Sequence, residues 1–177
     1  MTDAIARAAA VRLMAFDVDG TLTDGGLYIG PAGETQKRFS VRDGLGLVLL
    51  QQYGVQVAIV TGRTSDIVAQ RARELRIGTV LQGVADKAEA IRALCAQAGL
   101  DPSQAGFMGD DWPDLPAMRA VGFAATVPDA APEVREAAHW IARLPAGGGA
   151  ARELAEHLLR VRGRLDAAIG RFDGRRA

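Results

Sequence analysis

The stretch VRLMAFDVDGTLTDGG, residues 11–26, places Asp17, Asp19 and Asp24 directly after a short apolar run. Aspartate is a poor strand residue and like charges this close repel, so the group is either a solvated turn or a seat for something cationic. Three further segments have the same form, an apolar run followed at once by a chemically useful side chain. Thr61 follows VAIV in TGR, Lys87 comes shortly after TVLQG, and Asp110, Asp111 and Asp114 follow GFM in GDDWPD. Each alone would suit a helix cap or a turn. Together they bring several carboxylates, a hydroxyl and an ammonium to one set of strand ends. Clustered carboxylates without nearby His or Cys favour a hard, oxygen-loving cation such as Mg²⁺, with Mn²⁺ or Co²⁺ as substitutes. Such a cation lets a carboxylate approach a phosphate dianion, while Thr61 and Lys87 supply a donor and a positive charge to the remaining phosphoryl oxygens. Asp17 is then the nucleophile of an aspartyl-phosphate route. Asp19, two residues on, is placed to protonate the leaving oxygen and later to deprotonate water.

For these residues to meet, the apolar runs must be neighbouring strands whose carboxyl ends share one edge. Runs consistent with buried strands fall at Val11–Phe16, Val55–Val60, Thr79–Leu81, Gly106–Met108 and Gly122–Thr126. Helical spacing marks Gly44–Tyr53, Ser65–Arg76, Lys87–Ala98 and Pro113–Ala120, with a short helix opening at Pro132 and a terminal one over residues 150–168. Asp43, Thr64 and Asp86 stand at N-cap positions, and Gly54, Gly78 and Gly99 where helices should stop. Strands alternating with helices predict an α/β fold, a doubly wound, Rossmann-like parallel sheet with helices on both faces. Between the first strand and the first of these helices, GGLYIGPAGETQKRFSV has two short segments, Leu27–Ile29 and Thr35–Val41, around the turn signal GPAG. That pattern predicts a β-hairpin over about 26–41, projecting from the sheet.

The 177 residues suit one domain, 1–177, with its last helix and a basic tail over about 150–177. Lysine plus arginine equal aspartate plus glutamate at 21 each, so no nucleic-acid-binding surface is expected. No apolar run approaches the ~20 residues of a membrane span, and the first residues lack a signal-peptide core. The single cysteine, Cys95, falls in an apolar helical pattern and reads as a core residue, which suits a reducing, cytoplasmic setting. His139 and His157 read as structural or surface groups, and Trp112 and Trp140 as packing residues. The Arg-rich end, RVRGRLDAAIGRFDGRR, reads as a solvated or frayed tail. Of the 21 basic residues only Lys37 and Lys87 are lysine; in a chain so biased toward arginine, these two positions call for a compact point charge.

The four segments FDVDGTLTDG, VTGR, Lys87 and GDDWPD resemble, in order and strand context, the four motifs of the haloacid dehalogenase superfamily phosphatases. The resemblance implies Mg²⁺ bound by the Asp17 carboxylate, the Asp19 backbone carbonyl and Asp110. It puts Asp114 behind them, steadying the metal site or Lys87. Asp111 either joins the acids or only caps the segment WPDLPAMRA. Many relatives insert a cap domain; here the spacings leave no room for one, so cover must come from a neighbouring subunit. Longer stretches, including LTDGGLYIGPAGETQKRFSVRDGLGLVLL, LQGVADK and GGGAARE, resemble the capless phosphatases of 3-deoxy-D-manno-octulosonate 8-phosphate. These imply a sugar-acid phosphate substrate and a homotetramer whose active sites are completed by neighbouring subunits. They also imply substrate contacts from Gly62, Arg63, Arg71 and, out of an adjacent tail, Arg152. Capless relatives acting on nine-carbon ulosonate 9-phosphates are similar but can carry an acid at the position of Arg63.

Overall fold

A computed structural model describes residues 2–173. In chain order the elements are α1 (Thr2–Ala10), β1 (Leu13–Phe16), β2 (Tyr28–Gly30), β3 (Gly33–Gln36), α2 (Val41–Gln52), β4 (Gln56–Val60), α3 (Asp66–Glu74) and β5 (Thr79–Leu81). There follow α4 (Lys87–Ala98), β6 (Ala105–Met108), α5 (Leu115–Ala120), β7 (Phe123–Thr126), α6 (Pro132–Ala137), β8 (Trp140–Ile141), α7 (Ala150–Val161) and α8 (Leu165–Gly170).

Six strands form one sheet in the order β5-β4-β1-β6-β7-β8, and every neighbouring pair is parallel. β1, β6 and β7 are buried at every residue, as strands covered on both faces must be. From β1 the chain steps outward through β4 to β5, then returns to β6 on the other side of β1 and proceeds to β8. Right-handed crossovers therefore place α2 and α3 on one face and α4 and α5 on the other. α2 packs against α7, and α4 against α5. Phe16, Phe107 and Phe123 fill the sheet, Leu47, Leu50, Leu154 and Leu158 the α2–α7 layer, and Ile91 and Met118 the opposite layer. Burial of each such side chain stabilises the fold by roughly 1.5–3 kcal/mol. The α2–α7 contact is close at Gly46, where a Cβ would come within 2.9 Å of the Arg152 Cα. The reversal of strand order beside β1 opens a crevice at the carboxyl ends of β4, β1 and β6.

Between β1 and α2 there is only the antiparallel hairpin β2–β3, and between β4 and α4 only α3 and β5. Among the described residues no cap domain is inserted. The expected sheet, its helices on both faces and the hairpin are all present, with shifts at the edges. The second arm of the hairpin ends at Gln36 rather than Val41, since α2 starts at Val41, capped by the Ser40 hydroxyl accepting from Asp43 N–H. Asp43 is not that cap: its carboxylate accepts instead from Gly149 N–H and Arg152 N–H, at the start of α7. The cap of α3 is Ser65, not Thr64. α3 stops before Gly78, where Arg76 takes a left-handed conformation (φ 55°) and Ile77 N–H closes onto the Ala72 carbonyl. Asp86 and Gly99 cap α4 as expected. The terminal helix is broken at Gly163 into α7 and α8, so part of the basic stretch is helical; Gly174 to Ala177 lie outside the described residues. The helix α1 and the two-residue β8 were not foreseen. Cys95 is buried. His139 accepts from Ala124 N–H and His157 stacks between Phe123 and Trp140, both structural as expected. Trp112, by contrast, is not packed: it lies exposed, its indole N–H donating to Glu133.

Candidate active site

Asp17, Thr61 and the GDD segment are delivered by the last rungs of the strand ladders, and Lys87 by the first residue of α4. Asp17 N–H donates to the Met108 carbonyl, Thr61 N–H to Leu81 and Gly109 N–H to Ala125, so the parallel pairing runs on to the residues that carry the chemistry. Asp17, Asp19, Thr61, Gly62, Arg63, Lys87, Asp110, Asp111 and Asp114 all line one open cleft of about 280 Å³.

At its base, Lys87 is buried and donates to both Asp17 Oδ1 (2.8 Å) and Asp114 Oδ1 (2.6 Å). Burial alone would depress the Lys87 pKa, but the Asp17 and Asp114 carboxylates outweigh it and hold it above its ordinary value. Asp114 is almost fully used. Besides Lys87, it accepts from Asp110 N–H (2.9 Å) and Asp111 N–H (3.2 Å). Asp110 accepts from the Thr21 hydroxyl at 2.7 Å. Gly20 makes room for it: at φ 88° a Cβ there would stand 2.1 Å from Asp110 Oδ2. Thr21 and Gly20 are site-building residues that the sequence reading did not single out, although both sit inside the DGT segment that drew attention to it. Asp111 caps the 3₁₀ turn Trp112–Asp114 through Trp112 N–H, and it also borders the cleft.

One oxygen each from Asp17, Asp110 and Asp114 lies within 4.8 Å of the others. Among the side chains of the described residues, Asp17 engages only Lys87, and Asp110 only Thr21. Both therefore have oxygen capacity left over. Burial, with the Asp114 charge second and Lys87 opposing, raises the Asp17 pKa to about 6. Burial also raises that of Asp110 to about 7, helped by Asp114, Asp17 and Asp111. Two desolvated carboxylates with spare lone pairs and too little positive charge are what a divalent cation relieves. Asp114, already committed to an ammonium and two amides, fits the supporting position.

The remaining expected residues fall differently. Arg63 stands half-exposed at the mouth, 3.5 Å from Asp19 and 3.6 Å from Glu34 of β3. Arg71 lies outside the cleft, 6.0 Å from the Phe39 ring centre, and pairs with Glu74. Arg152 lies on α7, paired with Glu156 at 2.7 Å, also outside the cleft of its own chain.

Comparison with known proteins agrees with this geometry. A family model described as haloacid dehalogenase-like hydrolase matches residues 76–154. The chain is 40% identical over 168 residues to the 3-deoxy-D-manno-octulosonate 8-phosphate phosphatase of Yersinia pestis, covering 95% of this chain and 90% of that protein. The enzyme of the same name from Moraxella catarrhalis, in complex with magnesium ion, phosphate ion and KDO, has a similar structure. The TM-score is 0.94 at 40% identity, over 97% of this chain and 99% of that one. The cobalt-bound phosphatase of Haemophilus influenzae matches with a TM-score of 0.90 at 37% identity, over 94% and 99% of the two chains.

The raised pKa values set a testable sign. A carboxyl whose pKa is higher folded than unfolded stabilises the fold at low pH and loses that contribution as pH rises from about 4 to about 7. His139 and His157, whose pKa values burial lowers, act in the opposite sense. The difference between Mg²⁺ and chelator isolates the acids. Calorimetry should show Mg²⁺ raising Tm by roughly 5–10 °C at pH 8 and by little at pH 5, where protons occupy the same oxygens. A shift equal at both pH values would place the metal elsewhere.

Proposed function

The chain belongs to the haloacid dehalogenase-like hydrolases, among the 3-deoxy-D-manno-octulosonate 8-phosphate phosphatases, and on that premise we propose that it hydrolyses 3-deoxy-D-manno-octulosonate 8-phosphate to the free sugar acid and phosphate. The observation that carries this reading is the base of the cleft. Lys87 bridges Asp17 and Asp114 there, and Asp17 and Asp110 keep oxygens and uncompensated charge for a cation.

Asp17 attacks phosphorus; the Asp17 oxygen–phosphorus bond forms as the bond to the sugar oxygen breaks. Asp19 gives that oxygen its proton, so the sugar departs as an alcohol and Asp19 is left as a carboxylate. In the second step water attacks the aspartyl phosphate, its proton returns to Asp19, and Asp17 is released. The Thr61 hydroxyl, the Gly62 amide and the Lys87 ammonium hold the phosphoryl oxygens. The Asp17 and Asp110 carboxylates, with the Asp19 carbonyl, would hold Mg²⁺, or Mn²⁺ or Co²⁺ in its place, with Asp114 and Asp111 supporting. Bound there, the cation offsets the charge of the incoming dianion. Arg63, at the mouth, takes the sugar-acid carboxylate. Arg71, expected at the same carboxylate, lies outside the cleft of its own chain, and Arg152 contributes from a neighbouring copy.

The open cleft and the hairpin support a homotetramer that completes its own sites. Leu27, Tyr28, Ile29 and Val41, on or beside the hairpin, are exposed, with Ile29 at 69% and Val41 at 83%, and apolar surface of this kind is normally covered. A buried, unpaired Cys95 suits the reducing cytoplasm; among the described residues no helix is long and apolar enough to cross a membrane.

Phosphate release with Mg²⁺ tests the reading, comparing the octulosonate 8-phosphate, a nine-carbon ulosonate 9-phosphate and an aryl phosphate. We expect kcat/KM to favour the octulosonate by at least about 100-fold, since a pocket built to pair with its substrate's polar groups can reject a poorly paired analogue by up to ~10⁴-fold or more. Preference for the nine-carbon ester would overturn the assignment of the sugar. Turnover of the aryl ester alone would keep the chemistry and remove the sugar acid, and no turnover at all would remove the phosphatase.

A further inference from the structure

The chain has two lysines, and the structure puts each between two carboxylates. Lys87 bridges Asp17 and Asp114. Lys37, next to the end of β3, bridges Asp19 and Glu34. Its side chain is only 1% exposed, a degree of burial rare for lysine unless it is paired. The ammonium donates to Asp19 Oδ1 and lies 2.8 Å from Glu34 Oε1, close enough to pair as charges although not aligned as a hydrogen bond. Glu34 is held in turn by the Ser65 hydroxyl and faces Arg63 at 3.6 Å. The hairpin is thereby tied to the loop after β1 through the Lys37 ammonium and to the start of α3 through Glu34 and the Ser65 hydroxyl. Arg63 faces the same two carboxylates from the exposed side at 3.5 and 3.6 Å, whereas the buried point between them takes the compact ammonium of a lysine in a chain that otherwise uses arginine.

Asp19 needs such a tie. It sits on a loop beyond the strand, its side chain 18% exposed; among the described residues no backbone amide holds its carboxylate, and its other oxygen faces only the half-exposed Arg63 at 3.5 Å, too far for a hydrogen bond. An unrestrained aspartate samples several χ1 wells, and misplacement of a reacting group by about 1 Å can cost ~10²-fold in rate. We propose that Lys37 is a positioning residue of the phosphatase reaction: with Glu34 and Ser65 behind it, it fixes the Asp19 carboxyl at the cleft mouth, where Asp19 hands its proton to the leaving sugar oxygen. This rests on the phosphatase reading above and adds to it a residue outside the four motifs. The hairpin then has a catalytic task within its own chain, besides any contact between copies.

Leaving-group dependence separates positioning of Asp19 from general damage. A sugar alkoxide needs a proton to leave, whereas nitrophenolate does not. Rapid-mixing measurements of the first turnover compare wild type with Lys37→Met on 3-deoxy-D-manno-octulosonate 8-phosphate and on p-nitrophenyl phosphate. Lys37→Met is expected to slow release of the sugar by about 100-fold and release of nitrophenolate by no more than about 3-fold. Nitrophenolate should then appear as a burst, because the second step still requires Asp19 to take the proton of water. Lys37→Arg should fail to restore sugar release, and Glu34→Gln should show a smaller loss with the same selectivity. Equal slowing of both esters, a change confined to KM, or unaltered sugar release would overturn the proposal. If Lys37→Met does not fold, Glu34→Gln decides it by the same ratio. A wild-type protein that releases neither product would take down the phosphatase reading and this inference together.

Discussion

Asp17→Asn should lower phosphate release by at least about 10⁴-fold while raising the stability of the metal-free protein. The two effects have one cause. The carboxylate is desolvated at the end of β1, beside Asp114 and with Asp110 nearby, so its charge is costly to the fold; its pKa is raised to about 6. An amide of the same shape removes that charge and leaves Lys87 its bond to Asp114. It also removes the nucleophile, and with it the covalent route, so only a positioned water could attack phosphorus. In chelator at pH 8 we expect Tm to rise by a few degrees, since each relieved pKa unit is worth about 1.4 kcal/mol at most. At pH 5, where the native acid is already largely protonated, the gain should shrink. Activity assays and calorimetry on the same preparation check both halves. Retention of activity within about tenfold would remove Asp17 from the nucleophile's place, whatever the stability did.

Such opposed effects mark Asp17 as a residue that the fold tolerates for the reaction's sake, and the residues of the cleft were the most legible in the sequence. Asp17, Asp19, Thr61, Lys87 and Asp110 each follow an apolar run, and the strand-end rule converts that one-dimensional pattern into a shared cleft. The elements themselves were equally plain: the strand Thr79–Leu81 and the helix Lys87–Ala98 agree to the residue. What failed was whatever depends on contacts distant in sequence. Asp43 has the look of a local N-cap, yet its carboxylate caps α7, 106 residues away, through Gly149. Ser40 takes over the local task because its hydroxyl can still reach Asp43 N–H. Arg76 ends α3 in a conformation normally left to glycine, so the nearby Gly78 misled. Arg71 and Arg63 are alike in sequence and unlike in place, since the turn between β4 and α3 projects one to the mouth and the helix carries the other beneath Phe39. Lys37 lay between these cases: its rarity marked it, but only the folded hairpin shows which acid it serves.

Lys87→Met tests whether that charge balance at the base of the cleft holds the site together or merely decorates it. Methionine keeps the length and the apolar stem, so contact with the neighbouring Phe107 ring, 5.9 Å from the ammonium, is largely preserved. What goes is the only cation between Asp17 and Asp114, two buried carboxylates with oxygens within 4.8 Å. Removing one partner from a buried ion pair costs about 3–5 kcal/mol, because the other charge is left uncompensated. The cost depends on pH in a definite sense. Without the ammonium the Asp17 pKa must rise further, so the variant binds a proton where the unfolded chain does not, and its stability relative to wild type falls as pH rises from 5 to 8. Mg²⁺ should recover part of the lost Tm at pH 8, since any cation near these oxygens relieves the same repulsion. It should not recover the rate, which we expect to stay about 10²–10³-fold down, because the phosphoryl oxygens have lost a fixed positive donor. A stability loss of equal size at pH 5 and pH 8 would mean that Lys87 acts through packing. A rate restored by Mg²⁺ would mean that its charge serves the fold alone.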